Sequence, residues 1–185
     1  MMELHPIKEL DRRIRRGGER FFPRFMAALR EAAEASIEER SGVLLLGHSP
    51  DIAPEAYCHT LYPPLPDEVI CSTLTHFKPL PEELKALYRI MNGATLFWAG
   101  IEVWGIRTQA EPFSLPAFDI VEEASNVSCR DGIAFASNNC GDTVWLDPVS
   151  PSVSIDPRDT GLPTVSLPSI DEWIVYSKEV ADEQT

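Results

Sequence analysis

The stretch PLPEELKALYRIMNGATLF, running from Pro79 to Phe97, settles one element and its exit more firmly than any other segment of the chain. Pro81 suits the first helical position, where its missing N–H costs nothing, and Glu82 and Glu83 fall at the positive end of the helix dipole. Leu84, Leu87, Tyr88 and Met91 recur at helical spacing and form one buried stripe, while Lys85 and Arg89 turn to water. Gly93, just after Asn92, can take the left-handed conformation that closes a helix. An apolar turn follows at once.

The second constraining stretch is IAFASNNCGDTVWLD, Ile133 to Asp147. Two runs of strand type, Ile133 to Ala136 and Thr143 to Leu146, flank a polar loop in which Gly141 can supply a positive φ, so the pattern predicts an antiparallel hairpin. Taken with the first stretch, this resembles the SUKH superfamily, the Smi/Knr-like domain, whose pattern runs from a proline-opened helix ending in Asn-Gly to a strand closed by Gly-Asp. The likeness begins at Tyr62, where LYPPLPDEVICSTLTHFKPLPEEL is similar to the family's acidic lead-in helix and the Leu-Pro that opens the next. It extends through SVSI and the last helix, about two thirds of the chain, as one domain of ordinary size.

At 185 residues and 44% hydrophobic content the chain can fill one good core but not two large ones. The longest aliphatic run, Val43 to Leu46, falls far short of the roughly 20 residues of a membrane helix, and the N-terminal arginines adjoin no apolar signal segment, so a cytoplasmic protein is expected. Cys58, Cys71, Cys129 and Cys140 could pair in three ways, but reduced thiols are the default in that compartment. The formal net charge of −13 is unevenly placed: residues 1–40 hold 9 Lys+Arg against 8 Asp+Glu, net +1, and the remainder 7 against 21, net −14. Such a field repels nucleic acid and attracts a basic partner.

Along the chain, Ile7, Leu10 and Ile14 mark a first helix that Gly17-Gly18 ends. A second begins near Phe22, with Pro23 in its first turn and Phe22, Phe25, Met26, Leu29, Ala33 and Ile37 on one face. That face must pack on the main domain or on a second copy of the chain, which leaves a homodimer through the N-terminal helices open. Val43 to Leu46 reads as a short buried strand, and Pro50 to Pro66 as a stiff proline-rich connection. Val69, Ile70, Leu74 and Phe77 suggest a further helix. Strands are expected at Ile101 to Ile106, with Glu102, Trp104 and Ile106 on one face, and at Val153 and Ile155 before Asp156-Pro157. Ser169 and Glu172 form a capping box for a last helix that turns Ile170, Trp173 and Ile174 inward. Helices before and after a succession of strands predict an α+β fold, an antiparallel-rich central sheet flanked by helices. The domain is expected over 61–185, behind a helical N-terminal extension and connection over 1–60.

Motifs for chemistry are weak. VLLLGHSPD approaches a nucleophile elbow, but the residue after Ser49 is Pro50, which has no N–H for an oxyanion, and Asp51 replaces the second glycine. Cys58, His59, Cys71 and His76 carry zinc-binding groups without a Cys-x-x-Cys knuckle, and adjacent Cys58 and His59 should point apart in an extended strand. Cys140 sits in the hairpin with no histidine near it in sequence. Glu122-Glu123 and Asp156-Asp159 read as solvated acids, and no Gly-rich phosphate loop is present. Arg12, Arg13, Arg15 and Arg16 read as the wet side of the first helix rather than a nucleic-acid contact. Trp98, Trp104 and Trp145 suit either a partner surface or, more commonly, the core.

These observations predict a non-catalytic protein with no cofactor, no metal, and neither nucleic acid nor membrane as partner. The resemblance implies an immunity protein that binds a cognate bacterial toxin and blocks it, with the acidic charge pointing to a basic toxin domain. Glu102, Trp104, Asp119, Glu122, Glu123 and Asp142 are the candidate partner-binding residues. A housekeeping regulatory or scaffold module of the same fold is the rival, favoured by the extension over 1–60, and a cysteine or serine hydrolase comes third.

Overall fold

Among the described residues each strand pairs with the next one in sequence, and every pairing between strands is antiparallel. The computed structural model describes residues 6–76, 80–107, 116, 118–121, 123, 132–158 and 162–182. Among these, nine strands form one sheet in chain order: β1 (Ile37–Arg40), β2 (Val43–His48), β3 (Tyr57–Leu61), β4 (Ala94–Leu96), β5 (Ile101–Val103), β6 (Ile133–Asn138), β7 (Thr143–Leu146), β8 (Val153–Asp156) and β9 (Val165–Leu167). Six helices accompany it: α1 (Pro6–Arg15), α2 (Gly18–Phe21), α3 (Pro23–Ala35), α4 (Asp67–Thr73), α5 (Glu82–Ile90) and α6 (Ile170–Asp182). The α+β architecture with a central antiparallel sheet is as expected.

Register explains which residues meet the helices. Leu44 stands opposite Leu61, Leu61 opposite Ala94, Ala94 opposite Val103 and Val103 opposite Ala136. Ala136 opposes Val144, and Val144 opposes Ile155, so one apolar row crosses seven strands on a single face. Helices α3, α1, α5 and α6 close over that face, and one hydrophobic core runs from Leu10 in α1 to Ile174 in α6.

Residues 1–60 were expected to form an arm and a connection, and the structure corrects this. Ile37 does not continue the helical stripe; α3 ends at Ala35 and Ile37 opens β1. Ser41 and Gly42 both have positive φ and join β1 to β2 as a two-residue hairpin turn, the geometry that matches strand twist. Within the proline-rich segment, Tyr57–Leu61 forms β3, paired on both sides; its prolines stand outside the strand. Leu10, Ile14, Phe22, Phe25, Met26 and Leu29 are all buried in the chain's own core, while Ile7 near the start of α1 stays exposed. Most of the apolar face that could have met a second copy therefore packs within the chain.

Arg13 departs most from expectation. Its side chain is buried, 1% exposed, with Nε donating to Glu9 Oε1 at 2.9 Å and Nη2 to Gly42 O at 2.6 Å, and Nη1 facing Tyr62 O at 3.2 Å and Leu61 O at 3.4 Å. Burial pushes Glu9 up, but the hydrogen bonds and charges of Arg12 and Arg13 outweigh it and hold the carboxyl below its ordinary value. Burial pulls the Arg13 guanidinium down against the support of Glu9.

The last helix is set by remote carboxylates. Ser169 Oγ accepts from Glu172 N–H at 3.1 Å, as the capping box predicts, while the Glu172 carboxylate pairs with Arg24. Glu83 of α5 accepts from Ile170 N–H at 3.2 Å, and Asp171 accepts from Phe25 N–H at 2.9 Å and Arg24 N–H at 3.3 Å. The N-termini of α3 and α6 are thus capped by acids from α6 and α5. Burial, with Asp171 nearby, pushes Glu83 above its ordinary value despite that bond. Pro81 stands just ahead of α5 rather than inside it, and Gly93 closes the turn at φ 82°, where a Cβ would lie 2.9 Å from Val103 O. Arg89 reaches back to Asp67 at 2.8 Å, tying α5 to the start of α4. No helix among the described residues is long and apolar enough to cross a membrane.

Candidate functional site

A meander of nine antiparallel strands gathers alternate turns at one end of its sheet. Here the turns after β2, β4 and β6, residues 49–56, 97–100 and 139–142, share that end with the described residues that follow β8, 157–158 and 162–164, and the C-terminal half of α6 runs beside them. Loops held by a rigid sheet are where binding groups concentrate. These turns are laced side to side. Trp98 Nε1 donates to Ser49 Oγ at 3.0 Å, Asn139 N–H to Gly100 O at 3.2 Å, and Arg158 N–H to Asp142 Oδ1 at 2.9 Å.

The β4–β5 turn is strained. Phe97, Trp98 and Ala99 have φ of 52°, 53° and 67°, a run of left-handed residues without glycine, and such conformations persist only where surrounding contacts over-determine them. Phe97 is held edge-on against the His59 ring at 4.9 Å, and Trp98 N–H donates to Cys58 O at 3.1 Å. The outcome is that Trp98 stands 39% exposed on a fixed turn between two hollows.

On one side lies a groove of about 400 Å³ with apolar walls from Ile101, Val144, Ile155, Leu162, Trp173 and Tyr176. Leu162 on its lip is 63% exposed. Its polar rim is the hairpin tip, where Asn138 Oδ1 accepts from Cys140 N–H and Asp142 N–H at 3.0 and 2.9 Å, and Gly141 takes the predicted positive φ of 84°. On the other side a hollow of about 270 Å³ lies between α3, the end of β2, the start of β3 and Lys178. Both Cys58 and His59 line it, with Cys58 Sγ 3.4 Å from His59 Nε2. Adjacent residues were expected to diverge, yet the Cys58 thiol reaches the His59 ring, and Gly47, at φ 67°, leaves room that a Cβ 2.9 Å from Cys58 Cβ would fill.

His59 is 2% exposed with Nδ1 unpartnered, and burial, aided by the charge of Lys178, depresses its pKa to about 4. Its folded-state pKa lies below the ordinary 6.5, so its neutral form stabilises fully above pH 6.5 and that stability drains as pH falls toward 4. Between pH 7 and 5 the wild type should lose about 1–2 kcal/mol more than His59→Gln in denaturant titrations, and the imidazole should titrate near pH 4 by NMR.

The candidates chosen from sequence do not form one surface patch. Trp104 is only 3% exposed, its Nε1 donating to Ser137 Oγ at 3.1 Å and its carbonyl accepting from Tyr88 Oη at 2.8 Å, so it is a core residue rather than a partner contact. Glu102 is half-buried on β5 and accepts from Thr95 Oγ1 at 3.0 Å; burial pushes its carboxyl up. Asp119 organises the chain around it, accepting from Arg107 N–H at 2.6 Å and Val121 N–H at 2.9 Å, and its carbonyl receives the N–H of half-buried Glu123. Glu122 lies outside the described residues. Asp142 alone belongs to the loop end, holding Asn138 Nδ2 at 2.9 Å as well as Arg158.

Trp98 is the residue the candidate set lacked. Its signal was the run Leu96-Phe97-Trp98, which carries large apolar side chains past the end of β4 into the turn, where an aromatic has no strand to bury it. Of the groups weighed for chemistry, Ser49 Oγ donates to Gly47 O at 3.1 Å, and Cys71 is exposed on α4, away from Cys58. Among the described residues no three His, Cys, Asp or Glu side chains converge as a metal site. No family model, no curated protein and no solved structure matches this chain.

Proposed function

We propose that this protein is a non-catalytic binding module that grips a protein partner at the loop end of its sheet, and that it serves in the cytoplasm as an immunity protein capturing a basic toxin domain. The observation that carries the reading is the exposed Trp98, fixed on a strained turn whose far end, Gly100, borders an apolar groove with Leu162 on its lip. A rigid exposed aromatic next to a pocket is the usual anchor of an interface. The net −14 outside the first forty residues supports a basic partner, steering its approach while the aromatic holds the complex. The SUKH-like motifs supply the toxin-directed part of the proposal.

A regulatory or scaffold module is the second reading. Its support was an appended arm, and the contribution of α1, α3, β1 and β2 to the shared sheet and core removes that support.

Growth of cells expressing a basic toxin encoded beside this gene, with and without this protein, tests the proposal. Rescue is expected, and Trp98→Ala should weaken the purified complex by about 2 kcal/mol, near thirtyfold, at unchanged thermal stability. Higher salt should slow its association. Unchanged killing by every adjacent toxin would overturn immunity, and unaltered affinity in Trp98→Ala would overturn the site.

A further inference from the structure

The hollow beneath Trp98 has, apart from that ring, a lining to which partner capture gives no role. Its walls are small and apolar on the α3 side, Ala28, Ala32 and Ala35, and aromatic on the turn side, Phe97 and Trp98. A slot between alanine methyls and ring faces suits a flat apolar body. Two polar groups around it have unmet capacity. His59 Nδ1 is buried without a partner, and a buried polar atom of that kind calls for an explanation. Lys178 also lines the hollow, and among the described residues its ion pair is with Glu31 at 3.9 Å, a long pair between exposed side chains. The other polar groups are engaged: Ser49 Oγ with Gly47 O and Trp98 Nε1, and His48 Nε2 with Pro54 O at 2.9 Å.

We propose that this hollow is a binding site for a small monocarboxylate with a flat, ring-sized apolar body, the ring lying between Ala32 and Phe97 and the carboxylate meeting Lys178. His59 stays neutral at physiological pH, so it adds no second positive charge to the hollow beside Lys178. Lys178 supplies the only cationic side chain lining the hollow among the described residues, and Glu31 the only anionic one, so the preference for charge is set by which of the two a ligand displaces. The carboxylate replaces a weak surface pair with a shorter one beside low-dielectric walls. The site is separate from the groove on the far side of the β4–β5 turn, and the inference stands without the partner reading.

The test is a chemical-shift titration of the intact ¹⁵N-labelled protein with benzoate, benzamide and benzylamine, which share a ring and differ in charge. Benzoate should move the amides of Cys58, His59 and Phe97–Ala99 and bind about threefold to fivefold tighter than benzamide, the effect of one partly exposed charge contact. Lys178→Met should bring benzoate down to the benzamide affinity without changing benzamide, and Glu31→Gln should tighten benzoate. Both positions are on the surface, so the fold is retained, and Ala32→Leu, which fills the slot, should abolish all binding at that site. Preference for benzylamine, shifts centred elsewhere, or no shift with any of the three probes would overturn the proposal.

Discussion

Replacing Arg13 with alanine is expected to lower folding stability by about 3–5 kcal/mol, the cost of leaving a buried charge network without one partner. The guanidinium serves the Glu9 carboxylate, the carbonyl of the β1–β2 turn at Gly42 and the carbonyl of Tyr62 just past β3. Alanine leaves the Gly42 and Tyr62 carbonyls without this donor and the buried Glu9 carboxylate with exposed Arg12 alone. Arg13→Lys should recover only part of the loss, because one ammonium cannot span a turn, a strand exit and a helix with the guanidinium's fixed fork. A double-mutant cycle of Arg13→Ala with Glu9→Gln in urea should return a coupling of about 1–3 kcal/mol, since the buried glutamate then keeps only the exposed Arg12. A loss below about 1 kcal/mol for the single variant would mean that α1 is not docked on the sheet as described.

Arg13 also shows why part of this fold was not legible in the sequence. It stands in the run Arg12, Arg13, Arg15, Arg16, and nothing local separates the one arginine that is buried from neighbours that are solvated. What distinguishes it is a set of carbonyls 29, 48 and 49 residues away. The elements that were legible are those specified by near neighbours. The α5 stripe with Gly93, the Gly141 hairpin and the Ser169 cap each depend on residues within one or two turns, and each is present.

The misreadings have physical causes of the same kind. Ile37 continues a helical period by coincidence, while the turn pair Ser41-Gly42 is a hairpin signal whose first strand, Ile-Glu-Glu-Arg, carries no apolar alternation of its own. The prolines around residues 57–61 argued for a loop, although all of them lie outside β3, where they interrupt no ladder bond. For the site, Asp142 was legible as a polar hairpin residue, but Trp104 was read at a surface it does not reach. The hollows depend on four segments meeting at one end of the sheet, a fact of strand order that no single one contains.

Trp173 couples the core to that end of the sheet. It is 1% exposed, packs edge-on against Phe135 with ring centroids 5.2 Å apart, and forms part of the wall of the large groove. Trp173→Ala should therefore cost about 3–5 kcal/mol in chemical denaturation, combining lost transfer energy with a void that the rigid sheet below cannot close. Trp173→Phe, which keeps a ring against Phe135, should cost about 1–2 kcal/mol. The two effects are separable by position: the void left by alanine opens toward the groove, so the amides of Val144, Ile155 and Tyr176 should shift while those around His59 stay in place. If stability falls but the groove residues are unmoved, Trp173 is a core filler alone and the groove wall is set by the hairpin; if alanine costs less than about 1 kcal/mol, α6 does not pack on the sheet through this ring.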